Sequence, residues 1–255
     1  MIGLTALVLA GTRPGGDPLA QYAKVSHKAL IDIGGRTMIA RVVGALQIPG
    51  ITRIVIAIDR PELVADLVEL SPRQGPQVST MPTAAGPSAT VGAALDRLAT
   101  PLLVTTADHA LLESAWVREF IDACPPQLDA AVALARAEVV RAAVPDTRRT
   151  YLRFADAHYS GCNLFLLRRP ASRGAVTFWQ QLEAERKRPV RMLGRLGWGF
   201  ALRYALGRLT IGAAMARLSA LAGAQVGVVE LRDGRAAVDV DKPADLDLVR
   251  RMVSS

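Results

Sequence analysis

An apolar run near the start of the chain, which stops abruptly at a glycine-rich loop, limits the fold more than any other feature. The run covers residues 4–10, and the loop reads Gly11-Thr12-Arg13-Pro14-Gly15-Gly16-Asp17. A strand-length run that ends in such a loop is typical of the first strand of an open parallel sheet, beyond whose carboxyl end ligands bind. Glycine leaves backbone N–H groups accessible to an anion, and Arg13 and Lys28 add positive charge. We therefore expect this loop to grip the phosphates of a nucleotide.

Predicted strands and helices alternate along the first half of the chain. The strands cover residues 4–10, 53–58, 77–80, 102–106 and 130–135, and the helices cover 37–46, 61–70, 87–98 and 114–124. This βα repeat predicts an α/β fold with a Rossmann-like, mostly parallel sheet flanked by helices. Beyond residue 136 the pattern predicts strands at 151–154, 163–167, 226–231 and 235–238, and a last helix at 243–252.

The segment between the late strands is helical in character. Its periodicity predicts helices at 176–186, 190–206 and 210–221. We interpret residues 171–223 as a helical insertion within a single domain that spans 1–255, because a chain of this length can bury one full core.

The sequence favours a cytoplasmic protein. The first residues lack the basic stretch of a signal peptide, and the uncharged stretch at 78–95 is interrupted by prolines and is no membrane span. Cys124 and Cys162 lie far apart without the spacing of a metal site. We therefore expect two buried, reduced thiols.

Positive charge is concentrated in one part of the chain. The net charge is +8, yet residues 168–217 hold eleven Lys or Arg against two Glu, so the remainder is nearly neutral. This segment lacks a nucleic-acid-binding motif and has little aromatic interleaving, so we expect no nucleic-acid partner. Anionic lipid headgroups or an anionic acceptor fit the charge, and so does a solvated, arginine-rich surface.

Four motifs, in this order, resemble the MobA-like nucleotidyltransferase family. They are Leu9-Ala10-Gly11-x-Arg13, then Lys28 with Leu30 and Gly34-Gly35, then Asp108 after an apolar strand, and finally Asp239-Val240-Asp241-Lys242-Pro243-x-Asp245-Leu246. The family includes the molybdenum-cofactor nucleotidylyltransferases and relatives that activate sugar, polyol or terpenoid-precursor phosphates. The resemblance implies a GT-A-type fold and magnesium-dependent transfer of a nucleotidyl group from a nucleoside triphosphate to a phosphorylated small molecule, with release of pyrophosphate. CTP is the expected donor, ahead of GTP.

The resemblance also assigns roles to particular residues. The nucleotide would bind at Leu9, Ala10, Gly11, Arg13, Lys28 and Asp108, of which Arg13, Lys28 and Asp108 are the expected catalytic residues. Mg²⁺, which prefers hard oxygen ligands, would lie on Asp108 and Asp241. Asp239 lies two residues before Asp241, so on an extended strand it would face the same way and could assist. We therefore expect the carboxylates of Asp108 and Asp241 to lie within about 6 Å of each other.

Two further places are candidates for substrate contact. Gly86 and Ser88 open a helix whose N–H groups and hydroxyl suit a nucleobase edge or ribose, although a simple helix cap explains them equally well. Asn163 matches a segment that contacts the acceptor in related enzymes. His27 and His109 adjoin the best motifs, but no nucleophile–base pair is recognisable, so we interpret both as polar neighbours.

Two other functions remain alternatives. A glycosyltransferase of similar fold would use a nucleotide-sugar, although the Arg13 and Lys28 loop offers more positive charge than a diphosphate-sugar requires. A non-catalytic nucleotide-binding module is favoured if Asp108 and Asp241 lie far apart.

The basic segment 171–223 also carries aromatic and leucine residues among its arginines, including Trp179, Trp198, Phe200 and Tyr204. A basic helix of this composition can lie in a membrane interface. We hypothesise that the segment brings the protein to the inner face of a membrane or admits a lipid-linked acceptor. The alternative is that these residues pack on the sheet or form an oligomer contact.

Overall fold

The computed structural model describes residues 3–12, 15–65, 67, 70, 75–185 and 194–254. Its strands are β1 (Leu4–Leu9), β2 (Asp32–Ile33), β3 (Arg36–Thr37), β4 (Ile51–Ala57), β5 (Gln77–Met81), β6 (Leu102–Thr106), β7 (Ala130–Arg136), β8 (Leu152–Arg153), β9 (His158–Leu167) and β10 (Val226–Glu230). Its helices are α1 (Pro18–Tyr22), α2 (Met38–Ala45), α3 (Glu62–Ala65), α4 (Pro87–Leu98), α5 (Ser114–Ala123), α6 (Ala137–Ala143), α7 (Ser172–Glu185), α8 (Trp198–Ala205), α9 (Ile211–Ala222) and α10 (Pro243–Ser254).

One eight-stranded sheet organises the molecule. Its order is β10-β7-β9-β6-β1-β4-β5, with β8 beside β9, while β2 and β3 form a separate hairpin. The pairs β1–β4, β1–β6, β4–β5 and β7–β10 are parallel, and β9 runs antiparallel to β6, β7 and β8. The predicted α/β class and mostly parallel sheet are therefore confirmed. The carboxyl ends of β1, β4 and β6 meet at one edge of the sheet, which positions the loops that follow them.

Both faces of the sheet are buried. The buried core residues on α2, α5 and the sheet form one cluster, which includes Ile39, Trp116 and Phe120. A second cluster joins the sheet to α4 and α7 through Val91 and Val176. Burial on both faces explains why the strands in the middle of the sheet read as continuous apolar runs in the sequence.

The predicted strand at 235–238 is wrong. Gly234–Ala237 form a 3₁₀ turn, which Asp233 caps by accepting a hydrogen bond from the backbone N–H of Arg235. Gly234 lies directly against the backbone of α6, since a Cβ atom there would stand 2.4 Å from the carbonyl oxygen of Val139. This contact holds Gly234–Ala237 against helix α6 instead of in the sheet. The sequence pattern also missed α1, α6 and the β2–β3 hairpin.

The segment 171–223 divides into two kinds of helix. On α7, Val176 and Phe178 are buried, and Trp179 stacks on Phe165 of β9 at 5.7 Å between ring centroids. These residues pack on the sheet, as the alternative interpretation expected. On α8 no residue is buried, and Trp198 is 64% exposed. The predicted helix at 190–206 lies partly outside the described residues.

Both cysteines are free and buried. Burial raises the pKa of the Cys162 thiol to about 12, with a smaller contribution from the charge of Glu119, and burial also raises the pKa of Cys124, although Arg168 opposes that rise. Both thiols are therefore protonated and shielded near neutral pH.

We expect neither cysteine to react with a thiol reagent at about pH 8 in the folded protein, because only the thiolate is nucleophilic. Both should react once the chain is unfolded in denaturant. The measurement is the number of thiols titrated before and after unfolding, with Ser79→Cys, at an exposed position of β5, as the reactive control. Stoichiometric labelling of the native protein at the control's rate would contradict the prediction.

Candidate active site

Lys28 joins two carboxylates at the carboxyl edge of the sheet. Its Nζ donates hydrogen bonds to Asp108 Oδ2 and to Asp241 Oδ1, both at 2.8 Å. The two carboxylate oxygens therefore lie within twice that distance of each other, which agrees with the separation expected for a shared cation. The two acidic residues meet although they lie 80 and 213 positions from Lys28 in sequence.

The backbone brings the two carboxylates together. Asp108 follows β6 by two residues, and its carbonyl oxygen accepts a hydrogen bond from the Val240 N–H at 3.0 Å. Asp245 on the first turn of α10 accepts from the N–H groups of Asp241 and Lys242 at 3.2 and 3.0 Å. A carboxylate at this position satisfies N–H groups that the helix leaves unpaired. The last sequence motif thus folds into a fixed turn that presents Asp241 to Asp108.

Lys28 opens a 3₁₀ turn that extends to Leu30. The buried ring of His27 caps this turn, because its Nδ1 accepts a hydrogen bond from the Ala29 N–H at 3.1 Å. Burial lowers the pKa of Lys28, but Asp108 and Asp241 outweigh this effect and the pKa is raised above its ordinary value. Lys28 therefore carries a positive charge at the edge of the sheet.

Asp59, which the sequence analysis did not single out, connects the two halves of the predicted phosphate site. Its Oδ1 accepts a hydrogen bond from the Thr12 N–H at 3.0 Å and contacts His27 Nε2 at 3.3 Å. Partial burial raises the pKa of Asp59, but the contacts with Thr12 and His27 lower it overall. One carboxylate thus ties the glycine-rich loop to the turn that carries Lys28. Asp59 lies two residues after the end of β4, and this position was the sequence signal that could have identified it.

The glycine-rich loop leaves β1 beside these groups. The Ala10 N–H donates to the carbonyl of Ala57, and Leu9 accepts from Ala107, so both residues remain in the sheet ladder. A Cβ atom on Gly11 would stand 2.9 Å from Thr83 Cγ2, so the loop packs closely on the chain after β5. Arg13 lies outside the described residues.

The carboxylate of Asp239, which was predicted to assist in metal binding, instead contacts protein side chains. Its Oδ1 pairs with Arg149 Nη2, and its Oδ2 accepts a hydrogen bond from Asn163 Nδ2 at 2.9 Å. Arg149, which the sequence analysis did not identify, also donates to the carbonyl oxygens of Ala237 and Asp239. Both oxygens of Asp239 are thus engaged by protein groups. In this structure Asp239 holds the turn before Asp241 in place.

Asn163 occupies an unusual backbone position. Its φ is +48°, in the left-handed region, at an irregularity where β9 passes β7. Asparagine tolerates this conformation better than most residues, and such positions often occur at functional sites. The geometry turns its amide toward Asp239 at the edge where β6 ends.

The start of α4 is covered by α7. The Ser88 N–H donates to Glu183 Oε2 at 3.1 Å, and Gln180 Nε2 donates to the Ser88 carbonyl at 3.2 Å. A Cβ atom on Gly86 would stand 2.5 Å from Glu183 Oε1, so Glu183 packs closely on the start of α4. Glu183 is therefore a polar group beside the predicted nucleobase position that sequence reasoning missed.

His109 does not contribute charge to the site. Its ring is fully buried and stacks on Trp116 at 6.2 Å between centroids. Burial lowers its pKa to about 4, although the neighbouring Asp108 opposes this shift. The ring is neutral near pH 7, which agrees with its interpretation as a polar neighbour.

The residues at this edge fit a magnesium ion whose coordination shell is completed by substrate phosphates. Among the described residues, Asp108 Oδ1 is buried without a hydrogen-bond partner. No group of three or more His, Cys, Asp or Glu side chains within the described ranges could hold a metal alone. Mg²⁺ needs only one or two carboxylates when phosphates complete its shell. Asp108 and Asp241 supply such a pair.

An apolar cavity lies elsewhere, between the sheet and helices α4, α7 and α9. It encloses about 230 Å³ and is lined by residues such as Val104, Phe165 and Trp179. No charged side chain lines it. It therefore cannot balance the charge of a triphosphate, and the carboxyl edge of the sheet remains the candidate site.

Comparisons with known proteins show which family this chain resembles. The family model of the MobA-like NTP transferase domain matches residues 6–198. A solved structure described as a hypothetical transferase from Thermus thermophilus is 30% identical, with a TM-score of 0.81, over 96% of this chain and 100% of that chain. No curated protein sequence matches the chain.

More distant solved structures share the fold. One is 4-diphosphocytidyl-2C-methyl-D-erythritol synthase from Anaerococcus prevotii, at 10% identity and a TM-score of 0.61, over 99% of both chains. Another is CMP:2-keto-3-deoxy-manno-octonic acid synthetase complexed with CTP, at 16% identity and a TM-score of 0.55, over 99% of this chain and 98% of that chain.

Arg149 should stabilise the turn that carries Asp241. Its side chain is only 9% exposed, so Arg149→Met leaves the partly buried carboxylate of Asp239 without its cation. We expect a loss of about 3 kcal/mol of unfolding free energy. The measurement is chemical denaturation, with Arg148→Met, an exposed neighbour, as the matched control. Equal stability of the two variants would show that Arg149 does not anchor the turn.

Proposed function

The chain belongs to the MobA-like NTP transferase family, and on this premise we propose that it transfers a nucleotidyl group to a phosphorylated small molecule. The donor would be a nucleoside triphosphate, CTP ahead of GTP. The observation that carries the proposal is the meeting of Lys28, Asp108 and Asp241 at the carboxyl edge of the sheet, at 2.8 Å. This grouping also argues against a non-catalytic nucleotide-binding module, because that alternative would be favoured only if the carboxylates of Asp108 and Asp241 lay far apart.

The reaction requires the protein to bring two anions together. A phosphate oxygen of the acceptor attacks the α-phosphorus of the nucleotide, and the bond to the bridging oxygen breaks, so that pyrophosphate leaves with the electron pair. Such a reaction depends on positioning and charge stabilisation and needs no covalent intermediate with the protein. Lys28 would supply positive charge to the triphosphate, and Arg13 would add a second cation from the glycine-rich loop.

Asp59 would keep these two parts of the phosphate site in register. Its contacts to Thr12 and His27 join the loop to the turn that presents Lys28. The backbone of Leu9, Ala10 and Gly11 would then lie alongside the phosphates.

When bound, Mg²⁺ would supply positive charge that offsets the repulsion between the two anionic substrates. Asp108, through its unpartnered Oδ1, and Asp241 would hold it. In this structure the Lys28 ammonium balances these two carboxylates. Asp239 would act as a positioning residue, since Arg149 and Asn163 engage both its oxygens.

Asn163 would contribute to the acceptor site. Its Nδ2 hydrogen bond to Asp239 orients the amide, and one N–H and the amide oxygen of its side chain can still bind an acceptor hydroxyl or phosphate. The class of acceptor we propose is a phosphorylated sugar, polyol or pterin.

Glu183 would favour a base with an exocyclic amine. Its carboxylate accepts from Ser88 beside the predicted nucleobase position. A carboxylate accepts a hydrogen bond from the N4 amine of cytosine, whereas the O4 carbonyl of uracil would be repelled. This favours CTP over UTP.

Replacement of Asp108 tests the core of the proposal. Asp108→Asn should lower turnover roughly 10³-fold because it removes a carboxylate that holds the cation, and Lys28→Ala should lower it about 10²-fold. Turnover is measured as pyrophosphate release with each nucleoside triphosphate, Mg²⁺ and a panel of phosphorylated sugars, polyols and pterins. Asp247→Asn, an exposed carboxylate on α10, is the control. Full activity of Asp108→Asn would reject the site.

Replacement of Glu183 tests base selection. The wild type should use CTP at least about tenfold better than UTP, and Glu183→Gln should reduce this ratio, since an amide can donate to the uracil carbonyl. The comparison is the ratio of kcat/KM values, with Glu185→Gln on the same helix as control. An unchanged ratio would show that Glu183 does not face the base.

A further inference from the structure

Helix α8 presents an apolar stripe to solvent. Trp198, Leu202 and Leu206 recur every fourth residue and therefore share one face of the helix. They are 64%, 60% and 58% exposed. The described part of the chain has six exposed large apolar residues, and four of them belong to α8 and its C-terminal cap. They are these three and Tyr204, which is 37% exposed. Exposed apolar residues grouped in this way mark an interaction surface.

The opposite side of α8 fixes the orientation of this stripe. The ring of Tyr204 packs edge-on against Phe154 at 5.7 Å, and its hydroxyl accepts a hydrogen bond from the Arg153 N–H at 3.2 Å. Tyr204 thus holds α8 on the strand β8. The stripe faces outward because the side of the helix carrying Tyr204 is attached to the protein.

Two exposed arginines flank the stripe. Arg203 lies on α8, and Arg208 lies two residues beyond its C-terminal cap. A helix with Trp and Leu on one face and arginines beside them inserts its apolar side chains into the headgroup boundary of a bilayer, while its cations meet anionic lipids.

The size of the stripe argues against a second copy of the chain as the partner. Three side chains that are about 60% exposed offer roughly a few hundred Å² of apolar surface. A stable protein interface buries about 800 Å² on each partner. A stripe of this size can instead insert into the headgroup boundary of a bilayer, where attraction between arginines and anionic lipids strengthens the binding.

We propose that the exposed face of α8 docks the protein on an anionic membrane surface. The docking face lies on the same edge of the sheet as the candidate active site. β8 and the start of β9 are next to Arg136, which ends the parallel strand β7, and α8 rests on β8. Docking through α8 therefore places that edge near the lipid surface. The proposal does not depend on the reaction that the site performs.

Vesicle binding tests the proposal. The full-length protein should co-float at low salt with vesicles of phosphatidylcholine and phosphatidylglycerol, and binding should fall with phosphatidylcholine alone and at high salt. Leu202→Ala combined with Leu206→Ala should weaken binding about tenfold or more, because it removes apolar groups that enter the headgroup boundary. Arg203→Glu should weaken it about fivefold or more. The controls are Tyr22→Ala, another exposed apolar residue, and Arg118→Glu, an exposed arginine on α5.

Fluorescence locates the contact. Trp198 is the exposed indole, since Trp116 is 3% exposed and Trp179 stacks on Phe165. Brominated lipids should quench the wild type, and Trp198→Phe should lose that quenching while it retains its unfolding temperature. Absence of binding at low salt, or equal binding to neutral vesicles, would overturn the proposal. Self-association that the Leu202 and Leu206 substitutions abolish, without vesicle binding, would overturn it in favour of a contact between copies.

Discussion

The pairing of one lysine with two aspartates constrains the carboxyl edge of the sheet, where the candidate active site lies. Lys28 contacts Asp108 and Asp241 at 2.8 Å, and these residues come from the first, middle and last parts of the chain. Two carboxylates this close repel each other unless a cation lies between them. The Lys28 ammonium supplies that cation in this structure. Under the proposed function, a triphosphate would take up the lysine and leave the carboxylate pair to a divalent ion.

Each member of this trio depends on a second set of partly buried polar contacts. His27 and Asp59 fix the turn before Lys28, the Val240 N–H binds the carbonyl of Asp108, and Arg149 with Asp245 fixes the turn that ends in Asp241. Loops at the edge of a sheet gain little from apolar packing, so their polar contacts determine where the side chains lie. This explains why nearly buried groups such as Arg149 adjoin a solvent-accessible site.

The basic segment 171–223 contributes to the molecule in two ways. Helix α7 packs on the sheet and brings Glu183 to the start of α4. Helix α8 adds no buried residue, and its apolar stripe faces outward. Of the two interpretations drawn from the sequence, packing on the sheet therefore applies to α7, where Trp179 stacks on Phe165, and the proposed membrane contact is confined to α8.

The sequence by itself determined the α/β class, the mostly parallel sheet and the motifs that meet at its edge, because apolar periodicity and strand-end motifs are local properties of the chain. It did not reveal Asp59 or Arg149, whose partners lie 47 and 90 positions away. It also placed a strand at 235–238, where the close approach of Gly234 to α6 decides in favour of a turn. Asp239 shows the same limit, since its spacing from Asp241 suggested a metal ligand while the fold surrounds it with Arg149 and Asn163. Only the tertiary structure decides which polar groups are satisfied by protein partners and which remain for a substrate, because that depends on contacts between distant segments.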